Sequence, residues 1–197
     1  MNKLFITAAA LLVAATSYSQ EESLTDSQQR LDKFNEVKKH EVSIDVVAGI
    51  AGLGINPRYE YVLGRYSGVG VDINIGIADD DEFDDIEKFS ITPYYRQYFF
   101  SKEDYGAKGF YGEGFLKVHS FDYDSYSYNS NDPTFSSDTY TDVALGVGIG
   151  WKWVSDSGFL IDVGFGVGRN LGLADEPADR SLPAVVGRGG VNFGWRF

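Results

Sequence analysis

The sequence predicts an all-β fold: an eight-stranded antiparallel up-and-down transmembrane β-barrel, with short periplasmic turns on one side and longer extracellular loops on the other. Three observations carry this expectation. Apolar residues alternate with polar residues and glycine from Glu41 to Phe197, the period-two pattern that places successive side chains on opposite faces of a strand. Aromatic residues on the apolar face gather at one end of the strands, while aliphatic residues occupy the middle. The opposite face carries acids and bases in equal number.

The chain divides into three segments. Residues 1–19 read as a secretory signal peptide: Lys3 supplies the positive charge, Leu4 to Ala15 the apolar core, and Ser17-Tyr18-Ser19 the small residues a signal peptidase inspects. That core is too short to cross a bilayer as a helix. Residues 20–40 are polar, with Leu24, Leu31, Phe34 and Val37 at loosely helical spacing, which suits a short periplasmic helix or a frayed leader. Residues 41–197 form the barrel, and the expected location is the outer membrane of a Gram-negative bacterium.

Eight strands follow in order. The first, 42–50, sets Val42, Ile44, Val46 and Ala48 against Ser43 and Asp45. The second, 57–63, sets Tyr59, Tyr61 and Leu63 against Arg58 and Glu60. In 69–77, Val69, Val71, Ile73, Ile75 and Ile77 oppose Gly70, Asp72, Asn74 and Gly76. In 89–99, Phe89, Ile91, Tyr95 and Phe99 oppose Ser90, Thr92 and Arg96, and Pro93 predicts a local bulge because it lacks the N–H of a continuous ladder. In 110–121, Phe110, Leu116 and Val118 oppose Glu113, Lys117 and His119, although Phe115 and Phe121 fall on the polar face. In 141–153, Val143, Leu145, Val147, Ile149, Trp151 and Trp153 oppose Asp142, Lys152 and a row of glycines. In 159–170, Phe159, Ile161, Val163, Phe165 and Val167 oppose Asp162, glycines and Asn170. The last, 185–197, sets Val185, Val191, Phe193, Trp195 and Phe197 against Arg188, Asn192 and Arg196.

The connections at Arg65–Gly68, Ser155–Gly158 and Ser101–Lys108 read as turns, and 78–88, 123–139 and 171–184 as long polar loops. Only the connection around Gly52–Ile55 is short on the loop side.

Alternation alone does not say which face is inside, because a soluble lipocalin-like periplasmic carrier also alternates and keeps its apolar face within. Sorting by height favours lipid outside. Phe99, Phe110, Trp151, Trp153, Phe159, Trp195 and Phe197 sit at the turn ends, as an interfacial girdle requires. The polar face carries Asp45, Glu60, Asp72, Glu113, Asp142 and Asp162 against Arg58, Arg96, Lys117, Lys152, Arg188 and Arg196, six of each sign, with His119 beside them. These are expected to pair across a plugged lumen. Turned toward hydrocarbon, each midplane base would cost ~2–4 kcal/mol, and the sum would exceed a typical net stability of about 5–15 kcal/mol.

The final segment, Gly190-Val191-Asn192-Phe193-Gly194-Trp195-Arg196-Phe197, resembles the signal read by the barrel-assembly machinery. Tyr59-Glu60-Tyr61-Val62-Leu63, Ile91 to Phe99, Gly109 to Gly114 and Gly150-Trp151-Lys152-Trp153 resemble an uncharacterised family of Gram-negative outer-membrane barrels of the OmpX and OmpA transmembrane-domain type. The resemblance implies fold and location, without an activity.

Catalytic material is sparse. The chain has no cysteine and two histidines, His40 and His119, so thiol catalysis is excluded. His119 beside Ser120 is the one pair suited to a lipid A modifying enzyme, but strand parity sends them to opposite faces. The glycines at 146, 148 and 150 alternate with apolar residues inside a strand and so form no phosphate loop. Asp79, Asp80, Asp81, Glu82, Asp84 and Asp85 concentrate carboxylates suited to a hard cation, without the spacing of an EF-hand; a solvated acidic loop is the plainer reading. The Tyr-rich segment 121–140 suits contact with an extracellular ligand. A net charge of −12 argues against nucleic acid. The expectation is a non-catalytic barrel, structural or surface-binding, without a cofactor, partnered by outer-membrane lipid.

Overall fold

The computed structural model describes residues 38–50, 54–77, 87–99, 106–129, 132–174 and 183–197, with the backbone alone for 123–138. Residues 1–19 and 20–37, read in the sequence as signal peptide and leader, and the acidic run at 79–85 lie outside the described residues.

The elements in chain order are β1 (His40–Asp45), α1 (Val46–Ile50), β2 (Gly54–Ile55), β3 (Pro57–Gly64), β4 (Ser67–Gly76), β5 (Glu87–Phe99), β6 (Gly109–Asn129), β7 (Asp132–Val154), β8 (Phe159–Asn170) and β9 (Val185–Arg196). Consecutive strands from β3 to β9 pair antiparallel, and β1 pairs with both β3 and β9, so the sheet closes on itself. The two-residue β2 pairs with β4 just past the end of β3, from which Asn56 separates it. The result is an eight-stranded antiparallel barrel with one interrupted strand.

Alternation becomes sidedness directly. Along β1 the odd-numbered residues Glu41, Ser43 and Asp45 are buried while Val42 and Ile44 are exposed. Leu145, Val147 and Trp151 on β7 are 61%, 67% and 60% exposed, whereas Arg96, Lys152 and Arg196 inside are each 1% exposed. The apolar face is therefore the outer wall, and the charged face is the interior.

Four sequence expectations need correction. The first strand ends at Asp45, and 46–50 is a helix rather than its continuation. The Asp45 carboxylate stops it: Oδ1 accepts the amides of Val47 at 2.8 Å and Ala48 at 3.3 Å, the pattern of a helix N-cap. Pro93 produces no bulge. Its pairing with Val71 is in register, and the β5–β6 ladder skips Thr92 and Pro93 and resumes unshifted at Tyr94↔Phe115; the register shift lies instead between Glu87 and Phe89. Residues 123–129 and 132–139 are strand rather than loop, for β6 and β7 remain paired in one register as far as Asn129↔Asp132. The paired backbone outruns its neighbours: β5 meets β6 no further than Phe121, and β8 meets β7 no further than Ala144. Finally, the connection around Gly52 to Ile55 contains α1 and β2 and is not a simple short link.

The inward Phe115, awkward in the sequence, has a steric explanation. A Cβ at Gly146 would fall within the Phe115 ring, and one at Gly166 would stand 3.0 Å from it. The glycine row of β7 and β8 is thus the space that the inward aromatic side chains occupy.

Candidate functional site

The interior is a stack of ion pairs held by facing strands. At the turn end, Arg196 donates through Nε to Glu41 at 2.6 Å and through its two Nη atoms to the carbonyls of Gly106 and Ala107 at 2.7 and 2.8 Å. It ties the seam between first and last strands to the turn before β6. Lys152 bridges Glu41 at 2.6 Å and Glu60 at 2.7 Å.

The middle layer centres on Arg96, whose guanidinium reaches Glu113 at 2.8 Å, Glu60 at 2.9 Å and Asp162 at 2.8 Å. It lies 4.1 Å from the Tyr111 ring centroid and 4.6 Å from that of Tyr94, within cation–π range. Arg58 pairs with Asp72 at 2.5 Å and Asp162 at 2.6 Å, and Arg188 pairs with Asp72 and Glu113. Tyrosine hydroxyls complete the shells: Tyr98 and Tyr94 donate to Glu60 at 2.7 and 3.1 Å, and Tyr111 donates to Asp162 at 2.7 Å. Such buried charges are tolerable only because each is paired and its remaining lone pairs are filled.

At the loop end, Lys117 meets Glu87 at 2.5 Å, and Glu87 also accepts from Asn74 at 2.9 Å and Ser90 at 2.5 Å. His119 Nε2 bonds Asn170 at 2.9 Å, with its other nitrogen 3.9 Å from Glu87 and its ring stacked on Phe121.

Every lumen residue picked out in the sequence lies on this inward face, but their roles divide. Asp45 caps α1, and Asp142 accepts the amides of Val143 at 2.7 Å and Leu173 at 2.9 Å. Both therefore rest on backbone N–H groups rather than on bases. Their places in the ionic ledger are taken by Glu41 and Glu87. Six acids (Glu41, Glu60, Asp72, Glu87, Glu113, Asp162) thus face six bases (Arg58, Arg96, Lys117, Lys152, Arg188, Arg196). Sequence reasoning missed Glu41, Glu87, Tyr94, Tyr98 and Tyr111; strand parity with Ser43, Arg96 and Glu113 carried the signal for all but Glu87.

The girdle residues Phe99, Trp151, Trp153, Trp195 and Phe197 are exposed at the turn ends, with Phe110 and Phe159 half-exposed beside them. They pack edge to face as neighbours, Phe159 lying 4.9 Å from Trp195 and 6.2 Å from Trp153 by ring centroid.

The fill is not uniform. Below, Tyr98, Tyr111, Lys152, Arg96 and Arg196 are each 1% exposed and close the bore. Above the Arg58–Asp72–Arg188 layer, a cavity of about 570 Å³ opens toward the loops. A smaller one of about 170 Å³ lies against His119 and Phe121. Among the described residues no group of three or more His, Cys, Asp or Glu is placed to hold a metal ion. No protein-family model, curated protein or solved structure matches this chain.

Proposed function

We propose that the chain is a non-catalytic outer-membrane β-barrel of a Gram-negative bacterium, with a structural or surface-binding role, and that lipid and the barrel-assembly machinery are its partners. The observation that supports this reading is the inverted polarity of the wall: aliphatic side chains ring the outside while a network of salt-bridged acids and bases fills the bore. A continuous apolar belt of this extent in water would be far larger than the patches monomeric soluble proteins expose. A lipocalin-like carrier would need the opposite arrangement, with an apolar interior.

The side chains from Arg196 to Arg96 are almost wholly buried across the bore, and on this reading the barrel is not a diffusion pore. Reconstitution in a planar bilayer tests both halves of the proposal. The expected result is insertion without conductance; steps of hundreds of picosiemens, or a chain that stays soluble and monomeric without detergent, would refute it.

The interior also offers little to a lipid A modifying enzyme. His119 is held by Asn170 inside, and Ser120 belongs to the opposite face of β6. Mass spectrometry of lipid A from cells with and without the gene should show identical species. A surface-binding role draws on the β6–β7 hairpin, whose backbone edges beyond Phe121 and before Val143 pair with no other strand among the described residues. Such edges offer N–H and C=O groups to an incoming chain.

A further inference from the structure

We propose that Arg169 and the aliphatic side chains around it form a site on the outer wall for a phosphate-bearing lipid of the loop-side leaflet. The proposal rests on the reading of that wall as lipid-facing. Along β7, β8 and β9 the outward positions hold aliphatic, aromatic, threonine and glycine residues, and among the described residues one charged side chain, Arg169. It follows Val163, Phe165 and Val167 on the exposed face of β8, opposite the buried Asp162. Across the ladders it faces Leu145 on one side and Val185 on the other, and Val167 and Leu171 flank it along the chain, all of them exposed. No carboxylate among the described residues pairs with it. Lys88, at the loop end of β5, differs in meeting Asp122 at 3.4 Å.

Height decides what this cation meets. Ten positions separate Arg169 from Phe159, the girdle residue that begins the same strand. At about 3.3 Å per residue and a strand tilt of roughly 40°, Arg169 stands about 25 Å above the girdle, which is the height of the apolar band of an outer-membrane barrel. It therefore lies at the second interface rather than at the midplane. Its alkyl stem can follow Leu145 and Val185 while the guanidinium reaches the headgroups, as long cationic side chains do at interfaces. The anion available at that level is a lipid phosphate, which a guanidinium binds through two parallel hydrogen bonds. The acyl chains of the same lipid would cover the exposed pair Val147 and Val167 below. A zwitterionic lipid carries its own cation beside the phosphate and gains less, so the site selects a phosphomonoester headgroup.

The test is native mass spectrometry of the full mature chain refolded in neutral amine-oxide micelles that hold equal amounts of dioleoyl phosphatidic acid and dioleoyl phosphatidylcholine. Wild type should retain phosphatidic acid over phosphatidylcholine by roughly fivefold, the contribution of one basic residue beside an anionic lipid surface. Arg169→Gln should lose that preference, Arg169→Lys should keep part of it, and Lys88→Gln, at a position already matched to Asp122, should leave it unchanged. Leu145→Glu places a carboxylate within cross-strand reach of the guanidinium and should abolish the preference with Arg169 still present, whereas Leu145→Gln should not. Excess inorganic phosphate should fail to displace the lipid. Equal retention of the two lipids, an undiminished preference in Arg169→Gln or Leu145→Glu with a folded band on a gel, or displacement by free phosphate would overturn the proposal. A wild-type chain that folds without taking up detergent or lipid would overturn the reading of the wall itself and the proposal with it, a result distinct from the other three.

Discussion

Replacing Arg96 by Met tests the claim that the plug is held by charge pairing rather than by filling alone. Arg96 is 1% exposed and serves three carboxylates, Glu60, Glu113 and Asp162, at 2.8 to 2.9 Å. Methionine occupies much of the same volume but leaves the six acids facing five bases. Each carboxylate keeps one other cation: Lys152 for Glu60, Arg188 for Glu113, and Arg58 for Asp162. The loss is therefore that of one partner in a buried network, about 3–5 kcal/mol. At a urea dependence of roughly 2 kcal/mol/M, the unfolding midpoint falls by about 1.5–2.5 M. The assay is equilibrium unfolding in micelles followed by the fluorescence of Trp151, Trp153 and Trp195, all on the outer wall. Pairing the change with Glu113→Gln removes the surplus acid, so the double variant should recover part of the loss, with a coupling of about 1–3 kcal/mol. A midpoint shift for Arg96→Met below about 0.5 M, or strictly additive effects, would show that the ion pairs contribute little beyond bulk.

Val147→Arg puts a cation at the most exposed aliphatic position described in β7 and should cost ~2–4 kcal/mol in a bilayer, whereas Gly114→Ala, whose added Cβ meets nothing within 4 Å, should be close to neutral, both read by heat-modifiable migration on an SDS gel after refolding. Gly146→Leu drives a side chain into the Phe115 ring and should destabilise by about 1–3 kcal/mol or more, relieved in part by Phe115→Ala in the same chain. Asp45→Ala removes the cap of α1 and should cost ~1 kcal/mol while increasing amide exchange at Val47 and Ala48, leaving β5 to β8 unchanged.

Much of the fold was legible because parity is a local property. Once Asp162 and Lys152 are placed on one face, the neighbours at even spacing follow, and the register pairs Lys152 directly with Asp162 across β7 and β8. Parity would also have delivered Glu41, since it shares a face with Ser43 and Asp45, and Tyr94 and Tyr98, which share one with Arg96. Those tyrosines were obscured because aromatic residues were expected outside, and only the glycines opposite show that rings fit inside. The α1 helix was illegible for a different reason: Val46-Val47-Ala48-Gly49-Ile50 is a short apolar run without helical period that reads as more strand, and the carboxylate turning back onto two amides is a three-dimensional event. The same holds for the hairpin, where polar composition reads as loop although backbone pairing needs no apolar side chain. The cavity is a property of empty space, which no residue pattern encodes.

The seam has a kinetic consequence. The amides of His40 and Phe197 exchange hydrogen bonds with each other's carbonyls at 3.0 and 2.8 Å, and inside the same joint Glu41 meets Arg196 across 155 positions of chain. Among the described residues that joint is the most non-local, so the entropy of tethering distant ends must be spent before its bonds give any return. Until β1 and β9 meet, the sheet carries two open edges, and their pairing is expected to form late in folding.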